Sequence, residues 1–227
     1  MRLSTGTPLD KLLDGGIEDD AITNIYGPPG CGKTNFVLSC ALACCESGKK
    51  VIYIDTEGSF SIERFEQMGG TEKHLKNIKF VQVYSWAEQH RAFKEIEKAV
   101  DKTIGLVIID SMVALYRLEM DDKNFSEVNK QLATQYSILS RITRIEHIPI
   151  LITNQVYGRS GKGEEVELTS RTIAKYWSKT LIELRRTEKE GHRLALLRKH
   201  RSLAEGRSIE FVIAKDGLKQ VGKFSLL

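Results

Sequence analysis

The sequence predicts an α/β fold, a mainly parallel β-sheet flanked by helices with antiparallel strands added at the C-terminus. Short apolar runs alternate with stretches of helical periodicity through most of the chain. A glycine-rich phosphate-binding pattern follows the first such run, at residues 27–34. β-prone runs separated by short glycine turns close the chain, as antiparallel hairpins do. With 227 residues, 41% hydrophobic and 28% charged, there is enough chain for one large core, and a single domain over 1–227 is expected.

Taken in order, residues 3–16 alternate turn residues with leucines and read as an entry segment packed on the core. Residues 21–26 form a short strand and 35–47 a helix. Residues 51–55 are a strand ending in an acid, and Ile62, Phe65 and Met68 give 61–68 helical spacing. A third strand is expected at 80–84. Ala92, Phe93, Ile96, Ala99 and Val100 form one stripe of an amphipathic helix over 87–100. Residues 106–110 are continuously apolar before their final Asp, as a strand buried on both faces must be. A loop at 111–124 precedes a long helix over 126–146, whose start is marked by Ser126 and Glu127 with Asp121 and Asp122 nearby. Residues 149–154 are the fifth strand, and 156–167, rich in Gly, Lys and Glu, read as a mobile loop. The closing β-runs are 180–186, 193–198 and 208–214, with turns at Glu190-Gly191 and Asp216-Gly217.

The net charge of +4 permits nucleic-acid binding without arguing for it strongly. No apolar run approaches the roughly 20 residues of a membrane helix, and the polar, acidic first twenty residues are not a signal peptide, so a cytoplasmic protein without membrane partners is expected. Cys31, Cys40, Cys44 and Cys45 form neither a disulfide framework nor a zinc pattern. The last three read as small packing residues of a helix, whereas Cys31 lies where positive potential would lower its pKa and make it reactive.

The loop is Gly27, Pro28, Pro29, Gly30, Cys31, Gly32, Lys33 and Thr34, with Asn35 opening the helix behind it. Glycines let successive backbone N–H groups approach a phosphate, Lys33 supplies a point charge, and the Thr34 hydroxyl is placed to ligate Mg²⁺. In such sheets ligands bind beyond the carboxyl ends of the parallel strands. Those ends carry Asp55-Thr56-Glu57-Gly58, Asp110-Ser111 and Asn154-Gln155. Asp110 reads as the Mg²⁺ acid, Glu57 as the group that activates or orients the attacking water, and Gln155 as the sensor of the γ-phosphate.

Thr5-Gly6, Leu9-Asp10, Gly15-Gly16, the phosphate loop, residues 55–60 with Glu63-Arg64, residues 106–111 and Thr153-Asn154-Gln155 together resemble the RecA recombinase family, in its archaeal and eukaryotic branch, over essentially the whole chain. The resemblance implies a RecA-like P-loop NTPase core with ATP and Mg²⁺ as cofactors, Glu57, Asp110 and Gln155 in the roles just given, and adenine stacking by Arg64. It also makes 111–125 and 156–170 the two DNA-facing loops. Asp20 stands where that family usually has a glycine, and Met120-Asp121-Asp122-Lys123 is unusually acidic for such a loop. Only two residues precede Leu3, where a filament-forming recombinase would carry a helical DNA-binding domain and a polymerisation linker. The expectation is therefore an accessory protein of recombination and repair with a weak ATPase, forming homo-oligomers at most and no long autonomous filament. Its implied partners are sequence-independent DNA, single-stranded by preference, a RadA-type recombinase and a Holliday junction resolvase.

Arg198-Lys199-His200-Arg201, followed by Ile209-Glu210-Phe211, is similar in spacing to a bacterial RecA segment whose two basic residues reach ATP across a subunit interface. Carried over, Lys199 and Arg201 become contacts to a neighbouring subunit's ATP. A competing reading joins that cluster to Arg159, Lys162, Arg171, Lys175, Arg185, Arg186 and Arg193 as a DNA-binding face, with Tyr157, Tyr176 and Trp177 available for stacking, although Trp177 alone reads better as core. The alternative function is a KaiC-like regulatory ATPase that acts on protein partners without DNA.

Overall fold

The computed structural model describes residues 1–121, 123–156 and 171–221. A short antiparallel pair, β1 (Arg2–Leu3) and β2 (Ile17–Glu18), brackets α1 (Leu9–Leu12). The first core strand, β3 (Ile22–Gly27), runs into the phosphate loop and α2 (Lys33–Glu46). There follow β4 (Lys50–Asp55), α3 (Ile62–Gln67), α4 (Glu72–Leu75), β5 (Ile78–Gln82), α5 (Trp86–Ala99) and β6 (Ile104–Asp110). Next come α6 (Ala114–Glu119), α7 (Phe125–Glu146), β7 (Ile150–Gln155) and α8 (Arg171–Trp177). The chain closes with β8 (Thr180–Arg186), β9 (His192–Lys199), β10 (Ser208–Ala214) and β11 (Gly217–Gln220).

The main sheet has the order β11-β10-β9-β8-β3-β7-β6-β4-β5. From β8 to β5 the pairings are parallel, and β9, β10 and β11 extend the sheet antiparallel. Alternation along the strands divides the core into two layers. Val51, Tyr53, Leu106 and Ile108 face the layer that holds α2, whereas Ile52, Ile54, Val107 and Ile109 face the one that holds α5 and α7. Burial on both faces is why these strands read as unbroken apolar runs. Helix α2 is buried almost all round, which explains its small residues: Ala41, Cys40 and Cys44 let it lie close to the sheet.

The predicted sheet, its parallel and antiparallel parts and most elements are present. The strand expected at 80–84 is two residues earlier, because β5 is an edge strand whose Phe80 packs on Tyr53 and Phe60 rather than in a two-sided core. The expected loop at 111–124 contains α6, a single short helix buried through Leu115 and Tyr116 and too short to show a period. The turn at Asp216-Gly217 leads into a fourth closing strand, β11, which the sequence analysis did not predict. The loop expected at 156–167 lies, beyond Val156, outside the described residues. No helix among the described residues is long and apolar enough to cross a membrane.

Candidate nucleotide site

The carboxyl ends of β3, β4, β6 and β7 meet at one edge of the sheet and bring together the predicted residues. Gly30 and Gly32 take left-handed conformations, φ 72° and 103°, which turn the loop back towards α2. Gly32 caps α2 without any side-chain bond, so the first-turn amides of a 14-residue helix are left to a ligand. Lys33 is buried, and its Nζ donates to the carbonyls of Gly27 (2.9 Å) and Pro28 (3.1 Å). Gly27 has a packing role of its own: a Cβ there would lie 2.3 Å from the Leu184 carbonyl oxygen on β8.

Thr34 and Asp110 are brought together as expected, with Thr34 Oγ1 donating to Asp110 Oδ2 at 3.1 Å. The same Oδ2 accepts from Tyr53 OH (3.0 Å) and Ser59 Oγ (2.9 Å), and Oδ1 accepts from Thr153 Oγ1 (2.5 Å). Among the described residues, hydroxyls alone thus orient the acid. Among the described residues no cluster of three metal-binding side chains exists, which suits Mg²⁺: it takes one or two protein oxygens and completes its shell with phosphate and water. An amide cradle at a helix N-terminus beside a hydroxyl–carboxylate pair fits ATP with Mg²⁺.

Glu57 is exposed on the loop after β4, and Asp55 shapes that loop by accepting from the amides of Glu57, Ser59 and Phe60. The Glu57 carboxylate accepts from Ser111 Oγ at 2.6 Å and from Gln155 Nε2 at 2.7 Å. The expected base and the expected sensor are therefore in direct contact. Arg64 lies against the other side of the loop, where Nε donates to Asn35 Oδ1 (2.6 Å), Nη2 to Ala214 O (2.8 Å) and Nη1 to Lys215 O (2.7 Å). It ties the β10–β11 turn to the start of α2. Ser59, Ser111 and Thr153 fell within the strand-end motifs but were given no role in the sequence analysis, and Tyr53 was not singled out. Their only signal was proximity to the strand-end acids, and register was needed to show which hydroxyls face Asp110.

Cys31 corrects an expectation. It is fully buried beneath the loop, and desolvation pushes its thiol up despite the nearby Lys33 charge. The other three thiols are buried as expected, with Cys44 pushed up to about 12 and Cys45 to about 11, chiefly by burial.

The basic residues separate into three places. Lys199 lies level with Leu181, towards the amino ends of the parallel strands and away from this chain's own phosphate loop. Its Nζ donates to the carbonyls of Lys175 (2.5 Å) and Ser178 (2.8 Å) at the end of α8, and burial lowers its pKa. Arg201 is held by Glu18 (3.0 Å) and Asp20 (2.5 Å). Arg185 and Arg198 both pair with the buried Glu183. Arg186 and Arg193 lie on the phosphate loop itself. Arg171 opens α8 and Lys175 is exposed on it, as is Tyr176, while Trp177 packs on the core as expected. Arg159, Lys162 and Tyr157 lie outside the described residues.

The Rad51 family profile matches residues 1–221. A DNA repair and recombination protein RadB of Methanobrevibacter smithii is 39% identical over 224 residues, 96% of this chain and 95% of that protein. Its counterpart in Methanosphaera stadtmanae is 42% identical over 221 residues, 95% of this chain and 94% of that one. A crystal structure of a RadB recombinase is similar with a TM-score of 0.83 at 35% identity, covering 97% of this chain and 100% of its own.

Proposed function

We propose, from the premise that this chain belongs to the Rad51 family and to its RadB group of DNA repair and recombination proteins, that it is an ATP- and DNA-binding accessory protein with a weak ATPase that modulates a RadA-type recombinase. The observation that carries this reading is the contact between Glu57 and Gln155 at the mouth of the phosphate loop. With ATP bound, the Gln155 amide would turn from Glu57 to the γ-phosphate, which would leave the Glu57 carboxylate to orient water and would couple the site to the DNA-facing loop expected after β7. Thr34 and Asp110 would hold Mg²⁺, which would neutralise phosphate charge. Arg64 flanks the adenine. Arg171 and Lys175, with Arg159 and Lys162, engage DNA phosphates without reading sequence.

Lys199 and Arg201 serve a neighbouring subunit's ATP in an assembled form, exchanging their present contacts for phosphate. ATPase per subunit that rises with protein concentration supports that role, and a flat dependence removes it.

Single-stranded DNA anisotropy with and without ATP tests the whole. Binding that weakens as salt is raised is expected. No binding at low salt with ATP present refutes the DNA role and favours a regulatory ATPase acting on proteins. Lys33→Ala is expected to abolish nucleotide binding. Glu57→Gln is expected to keep binding and lose hydrolysis, and turnover at the wild-type rate would exclude Glu57 as the base. Co-sedimentation with a RadA-type recombinase, and separately with a Holliday junction resolvase, tests the protein partners.

A further inference from the structure

We propose that Arg186 and Arg193 are positioning residues of the phosphate loop, a pair of guanidinium groups in the same subunit that hold the loop's carbonyls outward so that its amides face the phosphates. This presupposes the nucleotide site proposed above and adds the means by which its loop is kept in shape.

Arg186 ends β8, Arg193 stands at the start of β9, and the two are directly opposite in the antiparallel register. Arg186 Nη2 donates to the Pro29 carbonyl at 2.9 Å, and Arg193 Nε donates to the Gly30 carbonyl at 3.2 Å. Arg193 Nη1 also donates to the His192 carbonyl at 2.9 Å, which fixes its plane. The C=O and N–H of one trans peptide point in opposite directions. A carbonyl of Pro29 held by Arg186 therefore turns the Gly30 N–H the other way; the Cys31 N–H, opposite the Gly30 carbonyl held by Arg193, donates within the loop to the Pro28 carbonyl at 3.4 Å, so that peptide braces the turn. With Lys33 on the carbonyls of Gly27 and Pro28, four successive loop carbonyls are each held by a cation.

Two further observations separate this pair from a merely basic surface. A Cβ at Gly30 would meet Arg186 Nη2 at 2.6 Å, so the glycine leaves the space that the guanidinium occupies as well as supplying φ 72°. Neither arginine has a carboxylate partner among the described residues, whereas the neighbouring Arg185 and Arg198 are both spent on Glu183. Their charges remain available to bind main-chain oxygens, which is the geometry seen.

The test is calorimetric titration of ATP and ADP into the full chain carrying Arg186→Ala, Arg193→Ala, both together, or Arg→Lys at each position. Because both bonds are present without nucleotide, their loss reaches affinity only through the work of re-ordering the freed loop, and a fall of about 10- to 100-fold is expected for the double alanine variant. Lysine, which keeps a donor to a carbonyl, is expected to restore most of it. The dependence of ATP affinity on salt is expected to stay at its wild-type slope, because a cation that binds carbonyls makes no contact with phosphate. Wild-type affinity in the double alanine variant overturns the clamp. A reduced salt slope also overturns it, by showing direct contact with phosphate. Where the double variant melts below the assay temperature, the single lysine variants decide: affinity as low as in the single alanine variants overturns the clamp. A wild-type chain that binds no ATP fails the nucleotide reading itself, which distinguishes the two failures.

Discussion

Tyr53→Phe removes a single hydroxyl from the wall of the candidate metal site. The ring is fully buried and keeps its packing on Phe60 and Phe80, at centroid distances of 5.1 and 5.7 Å. What goes is the donor to Asp110 Oδ2 at 3.0 Å. Burial, and then the Asp110 charge, push the phenol well above its usual pKa, so it remains a donor throughout the working range. A hydrogen bond to a charged group contributes about 1.5–3 kcal/mol. Asp110 keeps its bonds from Thr34, Ser59 and Thr153, which places the loss near the lower end, about 1.5 kcal/mol. For a chain of this size that is a fall of about 3–6 °C in Tm. Denaturant unfolding of Tyr53→Phe, Asp110→Ala and the double variant isolates the pair. In the Asp110→Ala background the hydroxyl has lost its acceptor, so Tyr53→Phe is expected to be neutral or stabilising there. A coupling energy below about 0.5 kcal/mol would refute the reasoning.

Three other outcomes are expected. All four native thiols react slowly with an aromatic disulfide reagent at pH 8, and guanidinium exposes them together; rapid labelling of native Cys31 would contradict its burial. Arg201→Ala leaves the buried Glu18 with only the longer contact to His200 Nε2 (3.7 Å) among the described residues and is expected to cost about 2 kcal/mol by denaturant titration. The bond from Arg201 lowers the pKa of Asp20, so that contribution is complete above the unfolded value of 3.8 and is lost as pH falls through the depressed folded value; acid sensitivity in this window is expected to be weaker in Arg201→Ala. Gly27→Ala drives a methyl into the Leu184 carbonyl and is expected to cost about 3 kcal/mol, read as a lowered Tm without nucleotide.

The strand ends were legible because parallel strands buried on both faces leave long apolar runs, and polarity resumes only where the site begins. Asp55, Asp110 and Asn154 therefore stood out. α6 and β11 were not legible, since one holds fewer than two turns and the other follows a turn that resembles a chain end. Arg185 and Arg186 are adjacent in sequence and looked equivalent, yet alternation sends one to Glu183 and the other to Pro29. The sign of the Cys31 shift was misread for a related reason: the neighbouring lysine is visible in the sequence, but the desolvation that outweighs it is not. Lys199 and Arg201 appear as one cluster along the chain, whereas carbonyls of Lys175 in α8 and Ser178 just after it hold the first and acids before β3 hold the second.

The close packing of α2 limits how the site can report its state. A helix wedged between sheet and neighbours on nearly every side has no direction in which to tilt or slide without opening the core, so it makes a poor piston. Among the described residues, the parts of the site with solvent on one side are the exposed turn bearing Glu57 and the β10–β11 turn gripped by Arg64, and any nucleotide-dependent motion is expected there. Such a helix is a stationary floor for the candidate site, so substitutions in the exposed turns around it are expected to alter any response without disturbing that floor.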